Sequence, residues 1–287
     1  MSARAQADFA IPVTLLSDAA AALAWANLGD WTASADYSQA CRQLALRVGN
    51  AAALQPTDRV LDLACGEGAS LQLWPEAFGV TQVTGLEYQA RCVERIRQHA
   101  PAGLDAIVQG RFDVLPAPAA LPARAFDAVL CVDAAYHASS LAAFSAFAAQ
   151  LLRPQGRFAF TTLLTEATSP DRFSPQRLAL ARAGIPAASV LTAPELRKTI
   201  GKHGFSDVSV QLLDAEVLLG FADFVSRRAA ELPWRRKLGA DWMKIQGTAW
   251  LCRQVYRSGS LHYGLVSAKR HLQDSVPVGV PVSGQSG

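Results

Sequence analysis

The chain has 287 residues, 51% hydrophobic and 18% charged, with a net charge of +3. That apolar content supports a sizeable core and excludes a disordered chain, and so small a positive excess does not by itself mark a nucleic-acid binder. The five cysteines (Cys41, Cys65, Cys92, Cys131 and Cys252) contain no C-x-x-C pair and no zinc spacing, so they read as reduced thiols of a cytoplasmic protein.

Arg4 is followed by Asp8 and Pro12 before any apolar run, which argues against a signal peptide. The Ala-rich run 19–26 is short, flanked by Asp18 and Asn27, and reads as a packed helix rather than a membrane span. Residues 33–54 carry a helical pattern through Tyr37, Leu44, Leu46, Val48 and Leu54, ended by Pro56. Residues 1–55 are therefore expected to form a helical segment ahead of a core spanning 56–273. Within the core, strands are predicted near 59–63, 82–86, 106–109, 126–132 and 157–163, and helices near 69–77, 89–99 and 140–152. Such alternation predicts an α/β fold with a doubly wound, mostly parallel sheet and ligands beyond the carboxyl ends of its strands.

After Leu164 the pattern changes. Pro170, Pro175, Pro186 and Pro194 break up an insertion at about 165–195 that includes a predicted helix at 176–183. A helix at 194–203 and strands at 208–213 and 261–268 complete the core. The stretch 214–259 is too long for a simple connection and predicts helices covering the site. The tail 274–287, rich in Val, Pro, Gly and Ser, is expected to be disordered.

Chemistry concentrates in Val60-Leu61-Asp62-Leu63-Ala64-Cys65-Gly66-Glu67-Gly68, an apolar run, an acid and a small-residue turn before a helix. Glycines there let a backbone approach a ligand, and the helix N-terminus offers N–H donors. Glu87 ends the next strand about twenty residues on, where a carboxylate can accept from both ribose hydroxyls. Gly66-Glu67-Gly68-Ala69-Ser70-Leu71 lacks the third glycine of a dinucleotide loop, Glu67 would repel a pyrophosphate, and no Gly-Lys-Ser/Thr follows. A nucleoside ligand without a phosphate chain remains.

Asp62-Leu63-Ala64-Cys65-Gly66-Glu67-Gly68 resembles the D-x-[GA]-x-G-x-G motif of class I S-adenosylmethionine-dependent methyltransferases. Val83-Thr84-Gly85-Leu86-Glu87, Gln109-Gly110-Arg111-Phe112-Asp113, Phe126 to Asp133 and Leu151 to Phe158 resemble that family's later segments, in order. The resemblance implies S-adenosyl-L-methionine as cofactor and a Rossmann-like sheet of seven strands, the last antiparallel between the fifth and sixth. It implies cofactor contacts at Asp62, Ala64, Cys65, Gly66, Gly68, Glu87, Val132 and Asp133, with Asp113 and the Val114 N–H at the adenine. Tyr88 either packs on adenine or packs on a helix. Asn27-Leu28-Gly29-Asp30-Trp31 resembles the x-x-G-x-W element of small-molecule methyltransferases of the tocopherol, sterol and sugar type. That likeness makes 27–37 part of a lid, with Trp31 and Tyr37 toward the cofactor; otherwise Trp31 fills a surface groove.

Methyl transfer from a sulfonium asks the protein to position the acceptor and exclude water, and a hydroxyl acceptor gains from a general base. His137, in Asp133-Ala134-Ala135-Tyr136-His137 after the fourth strand, is the candidate base, or else a packing residue. Tyr136 is placed in the acceptor pocket, with Trp234 and Trp242 as possible walls that could equally pack helices. No metal-ligand spacing is evident, so metal-free transfer is expected. Asp133-Ala134-Ala135-Tyr136 stands where nucleobase and glutamine N-methyltransferases carry Asn/Asp-Pro-Pro-Tyr, which argues against those acceptors. The expected activity is methylation of a small, partly apolar metabolite, most simply at oxygen, with nitrogen or carbon open. The alternatives are an RNA or protein methyltransferase using the basic residues of 227–257, and a catalytically silent cofactor-binding scaffold. Neither nucleic acid nor a membrane span is expected, and an acidic carrier protein or a homo-oligomer is a possible partner.

Overall fold

The computed structural model describes residues 13–17, 21–166, 180–181 and 183–271. The strands are β1 (Arg59–Leu63), β2 (Gln82–Glu87), β3 (Leu104–Gln109), β4 (Phe126–Cys131), β5 (Leu152–Thr165), β6 (Phe205–Leu212) and β7 (Leu261–Arg270). They form one seven-stranded sheet in the order β3-β2-β1-β4-β5-β7-β6. All neighbours are parallel except β7, which runs antiparallel to both β5 and β6. The sheet order reverses between β1 and β4, so their carboxyl ends splay into a crevice, the usual place for a ligand.

The helices are α1 (Tyr37–Ala51), α2 (Ala69–Phe78), α3 (Ala90–Gln98), α4 (Leu141–Leu151), α5 (Ala193–Lys202), α6 (Gly220–Glu231), α7 (Trp234–Lys237) and α8 (Ala240–Ser258). Local chemistry starts several of them. Asp36 caps α1 by accepting from the Gln39 N–H at 2.8 Å, and Ser140 caps α4 through the Ala143 N–H at 3.0 Å. Thr192 and Glu195 form a reciprocal capping box at α5.

Both sheet faces are covered. One apolar layer joins α1, α2, α6 and α8 through Leu44, Val48, Trp74, Phe221 and Trp242. The other sets Phe144 and Phe147 of α4 and Ile200 of α5 against Phe158 and Phe160 of β5. Burying each of these phenylalanines contributes roughly 1.5–3 kcal/mol; β1 and β4, covered on both faces, are buried almost throughout and read as near-continuous apolar runs.

Three expectations need correction. The described part of the run 19–26 is not helical; Ala24 pairs with Gly68 in a parallel bridge. The alanine propensity yields there to packing, because Leu23 lies against the Gly68 backbone. β4 ends at Cys131, and Asp133 turns with φ 57°. β5 starts at Leu152, earlier than expected, because Leu152 pairs with Phe126 and the ladder resumes at Arg157–Ala128 after an irregular stretch. The predicted helix at 176–183 falls mostly outside the described residues, and the tail 274–287 wholly so.

Candidate active site

The crevice at the carboxyl ends of β1, β2 and β4 is a cavity of ≈ 210 Å³. Asp62, Ala64, Cys65, Gly66, Glu87, Tyr88, Asp113, Val132, Asp133 and His137 all line it, so most of the predicted cofactor residues converge there. Ala64 and Gly66 have positive φ, 54° and 58°, which turns their peptides toward the crevice. Gly68, with φ 89°, does not line it; a Cβ there would stand 2.6 Å from Ile96 of α3 and 3.2 Å from Leu23 of the N-terminal segment, so this glycine serves the close approach of both.

Glu87 is buried at the end of β2. Its Oε2 accepts from the Gly66 N–H at 2.9 Å and its Oε1 from the Gln89 N–H at 2.8 Å. Each carboxylate oxygen keeps a second acceptor site, as binding two vicinal hydroxyls requires. Asp62 lies beneath the loop and accepts from Trp74 Nε1 at 2.8 Å; burial pushes its carboxyl up to about 6. Glu67 is not a bare charge, since Arg95 pairs with it at 2.7 Å and Arg91 at 3.5 Å.

Asp113 faces the crevice but is heavily engaged. Arg111 donates to both its oxygens, at 2.9 and 2.8 Å, and the Ser139 N–H adds a bond at 2.6 Å. Burial raises its pKa, yet the Arg111 and Ser139 bonds outweigh that and hold it below the ordinary carboxylate value. Arg111, which also lies 5.9 Å from the Tyr88 ring, lines the crevice and was not singled out from the sequence. Val114 is half exposed and off the crevice.

The N-terminal strap closes one side with Ala24, Trp25, Ala26 and Asn27 rather than Trp31 and Tyr37. Trp31 stacks on Phe224 at 4.4 Å and donates from Nε1 to the Leu28 carbonyl at 2.8 Å. Tyr37 is buried, its hydroxyl donating to the Asn27 carbonyl at 3.0 Å. Both expectations for these rings are corrected: they pin the strap from behind. Reading 19–26 as a helix concealed the residues that do line the crevice.

A second cavity, of ≈ 170 Å³, adjoins the first. Ala26, Asp133 and His137 line both. The second is walled by Leu28, Leu163, Ile185, Leu218, Leu251 and Leu261, with Tyr136, Thr248 and Tyr263 as polar points. Tyr136, expected in an acceptor pocket, lines this second cavity. Trp242 is buried in the core and Trp234 is 66% exposed; neither lines the cavity, because the first faces inward from α8 and the second outward from α7. Tyr263, brought in by β7, had no recognisable local signal.

At the junction, Asp133 Oδ1 accepts from the Tyr136 hydroxyl at 2.8 Å and the Tyr263 hydroxyl at 2.7 Å, while Oδ2 accepts from the Leu28 N–H at 2.8 Å. Burial pushes its carboxyl up to about 6 against these bonds. Burial also lowers the His137 pKa, with the Gly184 carbonyl pulling the other way, so the ring is neutral at pH 7. His137 Nδ1 faces that carbonyl at 3.5 Å. A carbonyl only accepts, so this contact favours the tautomer with its proton on Nδ1. A neutral imidazole between two cavities can take a proton. Among the described residues, no group of three or more His, Cys, Asp or Glu is placed to hold a metal ion.

A family model described as methyltransferase domain matches residues 34–210. Erythromycin 3''-O-methyltransferase of Saccharopolyspora erythraea is 26% identical over 245 residues, covering 82% of this chain and 76% of that protein. Among solved structures, the 4+2 cyclase SpnF superposes with TM-score 0.67 at 18% identity, over 91% of this chain and 94% of that one. Geranyl diphosphate C-methyltransferase from Streptomyces coelicolor A3(2) gives TM-score 0.65 at 16% identity, over 82% and 79% of the two chains. Likeness at these identities is a likeness of fold.

Proposed function

The chain belongs to the methyltransferase domain family, and from that premise we propose that it moves a methyl group from S-adenosylmethionine to a hydroxyl of a small, largely apolar acceptor, without a metal. Its standing as a small-molecule methyltransferase using that cofactor rests on the family match and on the relative that spans most of the chain. The observation that carries the finer reading is the meeting of two cavities, one lined by carboxylates and the glycine loop, one by apolar side chains, at Asp133 and His137.

The donor set fits the cofactor. Glu87 offers an acceptor at each oxygen toward a ribose, the Ala64–Gly66 backbone allows close approach, and Tyr88 with the Arg111–Asp113 pair flanks the far end. Asp62 and Asp133 present carboxylates toward the cationic end. When bound, the cofactor supplies a methyl carbon already activated by a sulfonium, so no Lewis acid is needed to make the electrophile.

The remaining work falls to this chain. The apolar walls exclude water and orient the acceptor. Were the acceptor oxygen to bond to the methyl carbon as the carbon–sulfur bond breaks, His137 would take the hydroxyl proton and later release it to solvent. Asp133 positions the Tyr136 and Tyr263 hydroxyls and holds the strap through Leu28. In this reading, residues 1–55 supply the strap and 214–259 the cap over the acceptor.

The test is product analysis. The protein is incubated with S-adenosylmethionine labelled in its methyl carbon and with apolar alcohols, amines and alkenes, with and without a chelator. A labelled O-methyl resonance, unaffected by the chelator, is expected. Label on carbon or nitrogen alone would overturn the oxygen assignment, and loss of turnover with the chelator would overturn the metal-free one.

A further inference from the structure

The cap carries an outward face that transfer chemistry does not use. Of the large hydrophobic side chains that are exposed, Trp234, Leu238, Met243 and Trp250 fall within one short run, at 66%, 72%, 65% and 62% exposure. The core-facing side of α8 is Trp242, Ile245, Ala249, Cys252 and Val255. Met243 and Trp250, seven residues apart, lie on the opposite side of the same helix. Trp234 and Leu238, four apart, stand out from α7 and the turn after it. Surface apolar residues scattered singly need no explanation, but a run of this size marks an interaction site.

The charges around this face are mostly positive. Arg235, Arg236, Lys237, Lys244 and Arg257 are set against Asp241. The Arg235 guanidinium lies 5.5 Å from the Trp234 ring centre, so cation and indole are presented together. Tryptophan, leucine and methionine pointing outward among lysines and arginines are the composition of a helix that lies in a lipid headgroup layer, the rings entering the apolar boundary and the cations meeting anionic headgroups. No described helix is long and apolar enough to cross a bilayer, so the contact would be one of surface only.

The helix that carries this face also lines the acceptor cavity. Thr248 and Leu251, on either side of Trp250 in α8, line that cavity. One helix thus has its inner side on the apolar chamber and its outer side on the patch. We propose that the α7–α8 face docks on an anionic lipid surface, placing the acceptor cavity against the phase in which an apolar acceptor is concentrated. The docking does not depend on which atom is methylated.

The test is co-sedimentation of the full-length protein with phosphatidylcholine vesicles and with vesicles also containing phosphatidylglycerol. Binding to the anionic vesicles, weakened by salt and accompanied by a blue shift of tryptophan emission, is expected. The double variant Trp234→Ser/Trp250→Ser should bind at least about tenfold more weakly, a loss within what burial of one such ring provides. Both rings are exposed, so its cofactor affinity and melting temperature should stay at wild-type values and report an intact fold. No sedimentation, or equal sedimentation of wild type and double variant, would overturn the proposal. So would a dimer that dissociates in the double variant, which would assign the face to a second copy, or tighter capture by an acidic carrier protein than by vesicles.

Discussion

The backbone N–H of Leu28 donates to the Asp133 carboxylate over 2.8 Å, joining residues 105 positions apart. That bond ties the N-terminal strap to the carboxyl end of β4, where the two cavities meet. The same carboxylate holds the hydroxyls of Tyr136 and Tyr263. Strap and acceptor wall are therefore coupled through one buried acid.

Replacing Asp133 by Asn should change the pH dependence of stability. Burial raises the carboxyls of Asp62 and Asp133 to about 6 in the fold. Their unfolded values lie in the ordinary carboxylate range, so the native state binds more protons between that range and pH 6. Stability then falls as pH rises through this window, by up to about 1.4 kcal/mol per pH unit for each group. Asp133→Asn should remove one share of that slope and make the strap more open to proteolysis. Denaturant unfolding across the window checks it, and an unchanged slope would count against the burial of this charge.

His137→Ala should leave cofactor affinity nearly intact and slow turnover by about 10²–10⁴-fold. Because burial lowers its pKa, the ring stays neutral to a lower pH than a free imidazole. The acid limb of the wild-type rate profile should therefore bend below about pH 6.5. A bend at or above that value, or the same bend in the variant, would leave His137 a positioning residue.

Glu87→Ala should weaken binding of S-adenosylmethionine and S-adenosylhomocysteine by roughly 1.5–3 kcal/mol in calorimetry. Part of that loss comes from the loop, since Glu87 also holds the Gly66 N–H. A deoxyribose analogue separates the two: wild type should discriminate against it and the variant should not. Discrimination retained in the variant would refute the ribose contact.

Gly220→Ala should destabilise the protein by about 1–3 kcal/mol, lowering the melting temperature by about 2–4 °C per kcal/mol. A Cβ at that position would stand 2.5 Å from Trp31 Cβ and 2.6 Å from the ring. In a Trp31→Gly background the same change should cost little, because the obstructing side chain, Cβ included, is gone. Equal costs in both backgrounds would place the strain elsewhere.

The crevice loop, Glu87 and the alternation of strands and helices were legible in sequence because each is a local device, while the place of the last strand followed from the family resemblance. A strand, a turn with positive φ at Ala64 and Gly66, and a capped helix lie within one short stretch, and the alternation of β and α elements dictates a parallel sheet. Val114 was misplaced because neighbouring residues in a turn point to different sides, and Trp234 because a tryptophan in a helical cap carries no mark of the face it takes. The strap was misread because alanine favours a helix locally, while Ala24 is held extended by its bridge to Gly68.

By itself, then, the sequence determined the alternating sheet, the glycine loop, the acid that ends β2 and the imidazole after β4, all of which depend on short-range pattern. Only the tertiary structure decided what surrounds that imidazole. Tyr263 reaches Asp133 across 130 residues. The apolar wall is assembled from β5, β7, α8 and the cap turn. Such contacts are selected by how layers pack, and packing leaves no periodic trace in the residues that make it.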